Sequence, residues 1–174
     1  EDVYVDAGSV SRSITATSGG NFENLQLGTM SATTAVSDTI DVTTVSITGS
    51  STVAEGATAS YTVSLTSAAQ TAITVNLTYT GTAADGSDYT GVASVTIPAG
   101  SSSAAFNVAT LQDVIGEGAE NFTVAIASAA GGNFESLVIS GTNGAQTTAI
   151  IDDDTPALSV SSPTVGEGGF AVFT

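Results

Sequence analysis

Between residues 58 and 151 the apolar side chains fall on every second position. Tyr61, Val63 and Leu65 share one face of a segment, and Ile73, Val75, Leu77 and Tyr79 share one face of the next. Val95 with Ile97, Phe106 with Val108, and Phe122, Val124 with Ile126 continue the alternation, and Thr147 to Ile151 makes a last apolar stretch. A period of two is the signature of a strand buried on one side, and the abundance of Thr, Val and Ser suits an extended backbone. No stretch of about 12 residues keeps a helical period. Turn residues separate the segments at Gly81 to Gly86, Pro98-Ala99-Gly100 and Gly116-Glu117-Gly118. About seven short strands at this spacing predict an all-β fold, an immunoglobulin-like antiparallel β-sandwich.

The pattern also repeats on a longer scale. Gly19-Gly20-Asn21-Phe22-Glu23-Asn24-Leu25 returns as Gly131-Gly132-Asn133-Phe134-Glu135-Ser136-Leu137, an offset of 112 (131 − 19). Thr52-Val53-Ala54-Glu55-Gly56 returns as Thr164-Val165-Gly166-Glu167-Gly168 at the same offset, whereas Thr33-Thr34-Ala35-Val36 meets Thr147-Thr148-Ala149-Ile150 at 114 (147 − 33). A period this long suits a whole sandwich domain rather than a solenoid coil. Residues 1–41 are therefore read as the C-terminal part of a preceding repeat, 42–154 as a complete repeat, and 155–174 as the N-terminal part of a following one. The chain opens at Glu1-Asp2-Val3 with no basic or apolar leader, so it is expected to start and stop inside something longer.

Composition narrows the chemistry. The 174 residues carry 17 acids and one base, Arg12, for a formal net charge of −16. Such a surface excludes nucleic acid, because nothing neutralises phosphates, and disfavours an anionic membrane. With 41 % hydrophobic residues the chain nevertheless builds a core, unlike a disordered acidic tail. Cys, His and Lys are absent. Disulfides, thiolate and imidazole metal sites, the commonest general base and Schiff-base chemistry all go with them. The remaining metal ligands are carboxylate, carbonyl and water oxygen, the set that suits a hard cation such as Ca²⁺. No run approaches the roughly 20 apolar residues of a membrane span.

The acids of the complete repeat are Glu55, Asp85, Asp88, Asp113, Glu117, Glu120, Glu135, Asp152, Asp153 and Asp154, nearly all at strand ends or in loops. Loops separated by an even number of antiparallel strands lie at the same end of a sandwich. Glu55 lies before the second strand, Asp85 and Asp88 after the third, Asp113 to Glu120 after the fifth, and Asp152–Asp154 after the seventh. All four groups are thus expected at one pole. There each close pair of like charges costs on the order of 1–4 kcal/mol, unless a cation completes the site. Ca²⁺ takes six to eight oxygens, so this many carboxylates suffices for more than one ion.

These blocks, in this order, resemble the Calx-β domain: Val53-Ala54-Glu55-Gly56, Gly81-Thr82-Ala83-Ala84-Asp85-Gly86-Ser87-Asp88-Tyr89, Val95-Thr96-Ile97-Pro98-Ala99-Gly100, Asp113 with Glu117-Gly118-Ala119-Glu120-Asn121-Phe122, and Ile150-Ile151-Asp152-Asp153-Asp154. The resemblance implies a seven-stranded sandwich with Ca²⁺ sites at one end. Its motif positions imply Glu55, Asp88, Asp113, Glu117, Glu120, Asp152, Asp153 and Asp154 as ligands. Asp85 stands at a position that is often a turn residue. Gln112 stands where Ca²⁺-binding members often carry a further Asp. In the preceding repeat the acidic tail is reduced to Asp38 and Asp41, and the loop Glu1 to Gly8 has its acids shifted, so fewer ions are expected there.

The strand aromatics Tyr61, Tyr79, Phe106 and Phe122 read as core, since aromatic content is only 6 % and Trp is absent. Glu117 and Glu120 lack the aromatic platform that a glycosidase pair needs to hold a sugar, and no enzyme activity is expected. The function implied is a structural spacer or extender repeat of a secreted bacterial adhesin or extracellular filament, such as a biofilm-matrix fibre, stiffened by Ca²⁺. Its partners are neighbouring repeats of the same chain and identical chains in a fibre. The alternatives are a Ca²⁺-dependent glycan- or protein-binding module, or a Ca²⁺-sensing domain. Connections as short as Thr155-Pro156-Ala157 favour stiff joints, and each end fragment is expected to need a neighbour to be ordered.

Overall fold

The computed structural model describes residues 2–6, 8–155 and 158–173, and all regular structure among them is strand. An N-terminal ladder of β1 (Gly8–Ser13) and β2 (Ser31–Val36) precedes the main body. The body comprises β3 (Val42–Gly49), β4 (Thr52–Ala54), β5 (Thr58–Leu65), β6 (Ile73–Gly81), β7 (Tyr89–Thr90) and β8 (Ser94–Ile97). It continues with β9 (Ser103–Thr110), β10 (Glu120–Gly131), β11 (Ser136–Ile139) and β12 (Ala145–Ile151). Two five-stranded sheets result, in the orders β4-β12-β10-β6-β8 and β11-β3-β5-β9-β7.

The sequence predicts about seven strands and the body contains ten segments. The first strand is divided, because the chain crosses between sheets after Gly49. There β3 pairs with β5 and β11, whereas β4 pairs in parallel with β12. A side chain at Gly49 would collide with Tyr61, its Cβ lying 2.2 Å from a ring carbon. β7 and β11 add two short edge strands without an apolar alternation strong enough to announce them.

The alternation predicted from sequence becomes the core between the sheets. Tyr61, Val63, Leu65, Ile73, Val75, Leu77, Val95, Ile97, Val108, Phe122, Val124 and Ile126 are all buried. Each such side chain removed from water contributes about 1.5–3 kcal/mol. Phe122 stacks on Tyr89 at 4.6 Å between ring centroids, and Tyr61 stacks on Phe106 at 5.2 Å. The buried Tyr61 hydroxyl is satisfied by a hydrogen bond to Thr148 Oγ1, which itself donates to Ser50 O at 2.6 Å. This polar bridge links the two sheets through an otherwise apolar layer.

The strand directions define two poles. β10 leaves one pole at Glu120 and reaches the other at Gly131, and β12 returns to the first at Ile151. At the far pole the Gly131–Glu135 turn meets the N-terminal segment. Tyr4 bridges Phe134 in antiparallel fashion, and the two rings stack at 5.5 Å. The β1–β2 ladder runs from Gly8↔Val36 to Ser13↔Ser31. The β10–β12 ladder runs from Glu120↔Ile150 to Ala125↔Ala145. The two registers differ by 112 on the first strand (120 − 8) and 114 on the second (150 − 36), the same offsets as in the sequence repeat. Unlike β10 and β12, β1 and β2 are exposed throughout. The described residues 158–173 contain no strand, and Leu158 and Phe170 are fully open to solvent. Pro156 and Ala157 of the short connection lie outside the described residues.

Candidate metal centre

Four stretches of chain converge at the first pole. The turn after β4 carries Glu55, and the loop after β6 carries Asp88. The segment between β9 and β10 carries Asp113 and Glu117, with Glu120 opening β10. Asp152–Asp154 follows β12. Their common location follows from strand parity, since β4, β6, β9 and β12 all end at this pole.

Within it the carboxylates form two groups. Oxygens of Glu55, Asp152, Asp153 and Asp154 lie within 4.8 Å of one another, and so do oxygens of Asp88, Glu117 and Glu120. A cleft lined by Glu55, Asp88, Asp113, Glu117, Glu120 and Asp152 joins them. Seven of the eight residues implied as ligands thus fall into one group or the other. The eighth, Asp113, lines the cleft and spends Oδ1 on the amide of Ile115, at 2.7 Å. Asp85 stands apart: its Oδ1 accepts from the amide of Gly91 at 2.8 Å, which makes it a turn residue. Glu135 lies at the opposite pole, where its Oε2 accepts from the amide of Asp41 at 2.6 Å.

Backbone amides hold the cluster in shape. Asp113 N donates to Glu55 Oε1 at 2.7 Å, and Glu117 N donates to Asp152 Oδ2 at 2.7 Å. Asp154 N donates to Asp152 Oδ1 at 2.9 Å, and Ala84 N donates to Asp88 Oδ2 at 2.6 Å. Gln112, where the resemblance leads one to look for an Asp, donates from Nε2 to Asp153 Oδ1 at 3.1 Å. It is a neutral member of the pole that reading acids alone passes over. Its place beside Asp113 was the available signal.

The electrostatics are unfavourable without a cation. Desolvation, with the charges of Asp113, Asp88, Glu55 and Asp152, raises the pKa of Glu117 above 4.5. Desolvation and then Asp88 and Glu117 raise Glu120. Desolvation followed by Asp152, Asp153 and Asp113 raises Asp154. At Glu55 the amide of Asp113 pulls the pKa down, yet desolvation and the carboxylates of Asp113, Asp154 and Asp152 leave it raised. Asp154 Oδ2 is buried with no hydrogen-bond partner. A buried carboxylate oxygen without a donor is costly, and a hard cation is the partner it fits. An all-oxygen set of this density suits Ca²⁺ better than the strict octahedron of Mg²⁺.

The LapA domain family model matches residues 1–39 and 41–155. The fold is that of Calx-β domains. The structure is similar to the apo-form Calx CBD1 domain at 22 % identity and a TM-score of 0.55, over 64 % of this chain and 98 % of that one. It is similar to CBD12 from CALX1.2 at 22 % identity and a TM-score of 0.54, over 64 % of this chain and 46 % of that one. It is also similar to the calcium binding domain CBD12 of CALX1.1 at 25 % identity and a TM-score of 0.51, over 61 % and 42 %. The chain therefore spans under half the length of both CBD12 structures. No curated protein matches it. The Calx-β resemblance thus holds for the fold, and the family model that matches is a different one.

Proposed function

The chain belongs to the LapA domain family, and from that premise we propose that it is a spacer repeat of a secreted surface adhesin or extracellular filament, stiffened by Ca²⁺ at its acidic pole. Its role is structural and not catalytic, and its partners are the neighbouring repeats. The observation that carries the reading is the pair of carboxylate groups, Glu55 with Asp152–Asp154 and Asp88 with Glu117 and Glu120, around one cleft. Two ions, one per group, would offset four of the seven negative charges whose mutual repulsion otherwise opposes folding.

The stiffening follows from connectivity. The Asp152–Asp154 run is the exit of the body toward the next repeat, and Asp152 is hydrogen-bonded to the loop that carries Glu117. A cation shared by Glu55 and Asp152–Asp154 would fasten the exit of one repeat to the loops beside it. Weak extracellular sites, of the 10⁻⁴–10⁻³ M class, are about half to nine-tenths occupied at millimolar Ca²⁺. A Lys-free, Cys-free surface with net charge −16 also suits an array that must stay soluble without disulfides.

Thermal unfolding of the chain with Ca²⁺, with Mg²⁺ and with EDTA tests this. Ligand linkage predicts about 3–4 kcal/mol per site at 100–1,000 times Kd, a rise of many degrees in Tm. Equal Tm in all three conditions would reduce the pole to a solvated acidic end and remove the stiffening mechanism.

A further inference from the structure

The N-terminal segment shows what covers the far pole of the body. Val5 N donates to Asn133 O and Glu135 N donates to Val3 O, both at 3.1 Å. Tyr4 stacks on Phe134 while its hydroxyl donates to Ala68 O at 2.5 Å. Phe134 is 8 % exposed under this cover. Phe22, which follows the same Gly-Gly-Asn sequence, is 69 % exposed. Its turn shares the left-handed glycines but not the left-handed Asn133, which has φ 60°. Gly20 and Gly132 have φ of 91° and 84°, and in both turns the following ring lies against the second glycine. The Phe134 turn also rests on Ala72 and Ile73 of the body, whereas Gly19 has no neighbour within 4 Å and Gly20 meets only Phe22 itself, so Phe22 lacks support beneath as well as cover above.

The segment that does the covering has an equivalent in the body. The β1–β2 and β10–β12 registers place Gly8 on Glu120. Counting back five residues from each, Val3 corresponds to Ile115, and Asp2 to Val114. In the body these positions are open: Val114 is 89 % exposed and Ile115 61 %. Two adjacent bare aliphatic residues at the tip of an acidic loop have no solvation reason to be there. The loop is nonetheless held in place. Asp113 N is bound to Glu55, Ile115 N to Asp113 Oδ1, and Glu117 N to Asp152.

We propose that Val114 and Ile115 are the docking contact for the turn of the following repeat that corresponds to Gly131–Glu135, so that repeats join acidic pole to Gly-Gly-Asn-Phe turn. This deepens the spacer reading and rests on the chain being a series of repeats. Val3 and Tyr4 pack against the core at the joint that is present, whereas Val114 and Ile115, at the positions equivalent to Asp2 and Val3, have nothing over them. The downstream joint differs in one respect. Gly116 stands where Tyr4 does, so aliphatic carbon, not a stacked ring, meets the incoming phenylalanine. The loop that docks is also the loop that carries Glu117, which couples the joint to any cation at the pole.

The test uses this chain continued after Thr174 with a copy of residues 63–154, which completes the following repeat at the 112-residue offset. Amide hydrogen exchange is read at the added Glu135 position. The first joint, at Val5 and Glu135, serves as an internal reference, and core amides of the added repeat report that it is folded. Exchange slowed by about tenfold or more, and restored by Ile115→Asp in the first body while the reference stays protected, is the expected result. Equal exchange with Ile115 and with Ile115→Asp in a folded added repeat overturns the proposal. The 174-residue chain gives a second reading with a peptide of residues 129–137 as probe. Amide shifts centred on Val114 and Ile115 support the contact, and shifts elsewhere or none at millimolar peptide count against it. A chain that binds Ca²⁺ but shows no protection fails this inference alone. One that is protected without binding Ca²⁺ fails the metal reading alone.

Discussion

The amide of Glu117 donates to Asp152 Oδ2 across 2.7 Å, joining residues 35 apart in sequence. Asp152 accepts from Asp154 N through its other oxygen, so one carboxylate organises both the β9–β10 loop and the exit of the body. Asp152→Asn removes a charge at the point where the two carboxylate groups meet. Ca²⁺ affinity by titration calorimetry is expected to fall about tenfold or more, a tenfold loss being about 1.4 kcal/mol. Unchanged affinity would remove Asp152 from the site.

Asp85 and Asp88 separate a turn residue from a proposed ligand within four residues. Asp88 shares a group with Glu117 and Glu120, whereas Asp85 caps the Gly91 amide. Asp88→Asn is expected to lower Ca²⁺ affinity about tenfold, and Asp85→Asn to leave it within about twofold, since only the former removes a charge from one of the two carboxylate groups. Equal losses in the two variants would mean that long-range charge, not coordination, sets the affinity.

The metal-free chain should grow more stable as the pH falls from 7 toward the raised carboxylate range. Glu55, Glu117, Glu120 and Asp154 all hold their protons more tightly in the fold than when unfolded. Stability from a raised pKa is present below the unfolded value and lost as pH rises through the folded one. Bound Ca²⁺ reverses the trend, because protonation then competes with the ion. Tm recorded in EDTA and in Ca²⁺ across this window checks both signs, and parallel curves would contradict the electrostatic account.

Gly132 turns the chain at φ 84°, and a Cβ there would lie 2.5 Å from the Phe134 ring and 2.8 Å from Ile73 Cδ1. Gly132→Ala is expected to cost about 1–3 kcal/mol by urea unfolding and to expose the Tyr4 segment to protease. An unaltered midpoint would show that the turn relaxes freely.

Thr148 bridges the sheets by donating its hydroxyl hydrogen to Ser50 O and accepting from the Tyr61 hydroxyl. Thr148→Val keeps the shape and strands both partners, at a cost of about 1–3 kcal/mol in denaturant unfolding. A loss below half of that would mean water reaches the Tyr61 hydroxyl.

Much of this was legible in the residues themselves. Period-two alternation identified β5, β6, β8, β9, β10 and β12, because a strand between two sheets must present apolar atoms on its inner face. Parity of those strands was enough to bring Glu55, Asp88, Asp113–Glu120 and Asp152–Asp154 to one pole, since antiparallel neighbours reverse direction at every turn. The break between β3 and β4 was not legible. It depends on the Tyr61 ring filling the space beside Gly49, a contact between residues of different strands.

Local sequence therefore determined the class of fold, the pole that gathers the acids and the chemistry available there, because periodicity, turn residues and side-chain type are properties of short stretches. Tertiary structure decided which carboxylates share a group, that Asp113 and Asp85 fall outside both, and that Gln112 belongs to the pole. It alone showed Tyr4 lying on Phe134 while Ile115 stays bare. Those outcomes depend on distances of a few ångströms between residues far apart in the chain, set by how the two sheets pack and how each loop closes.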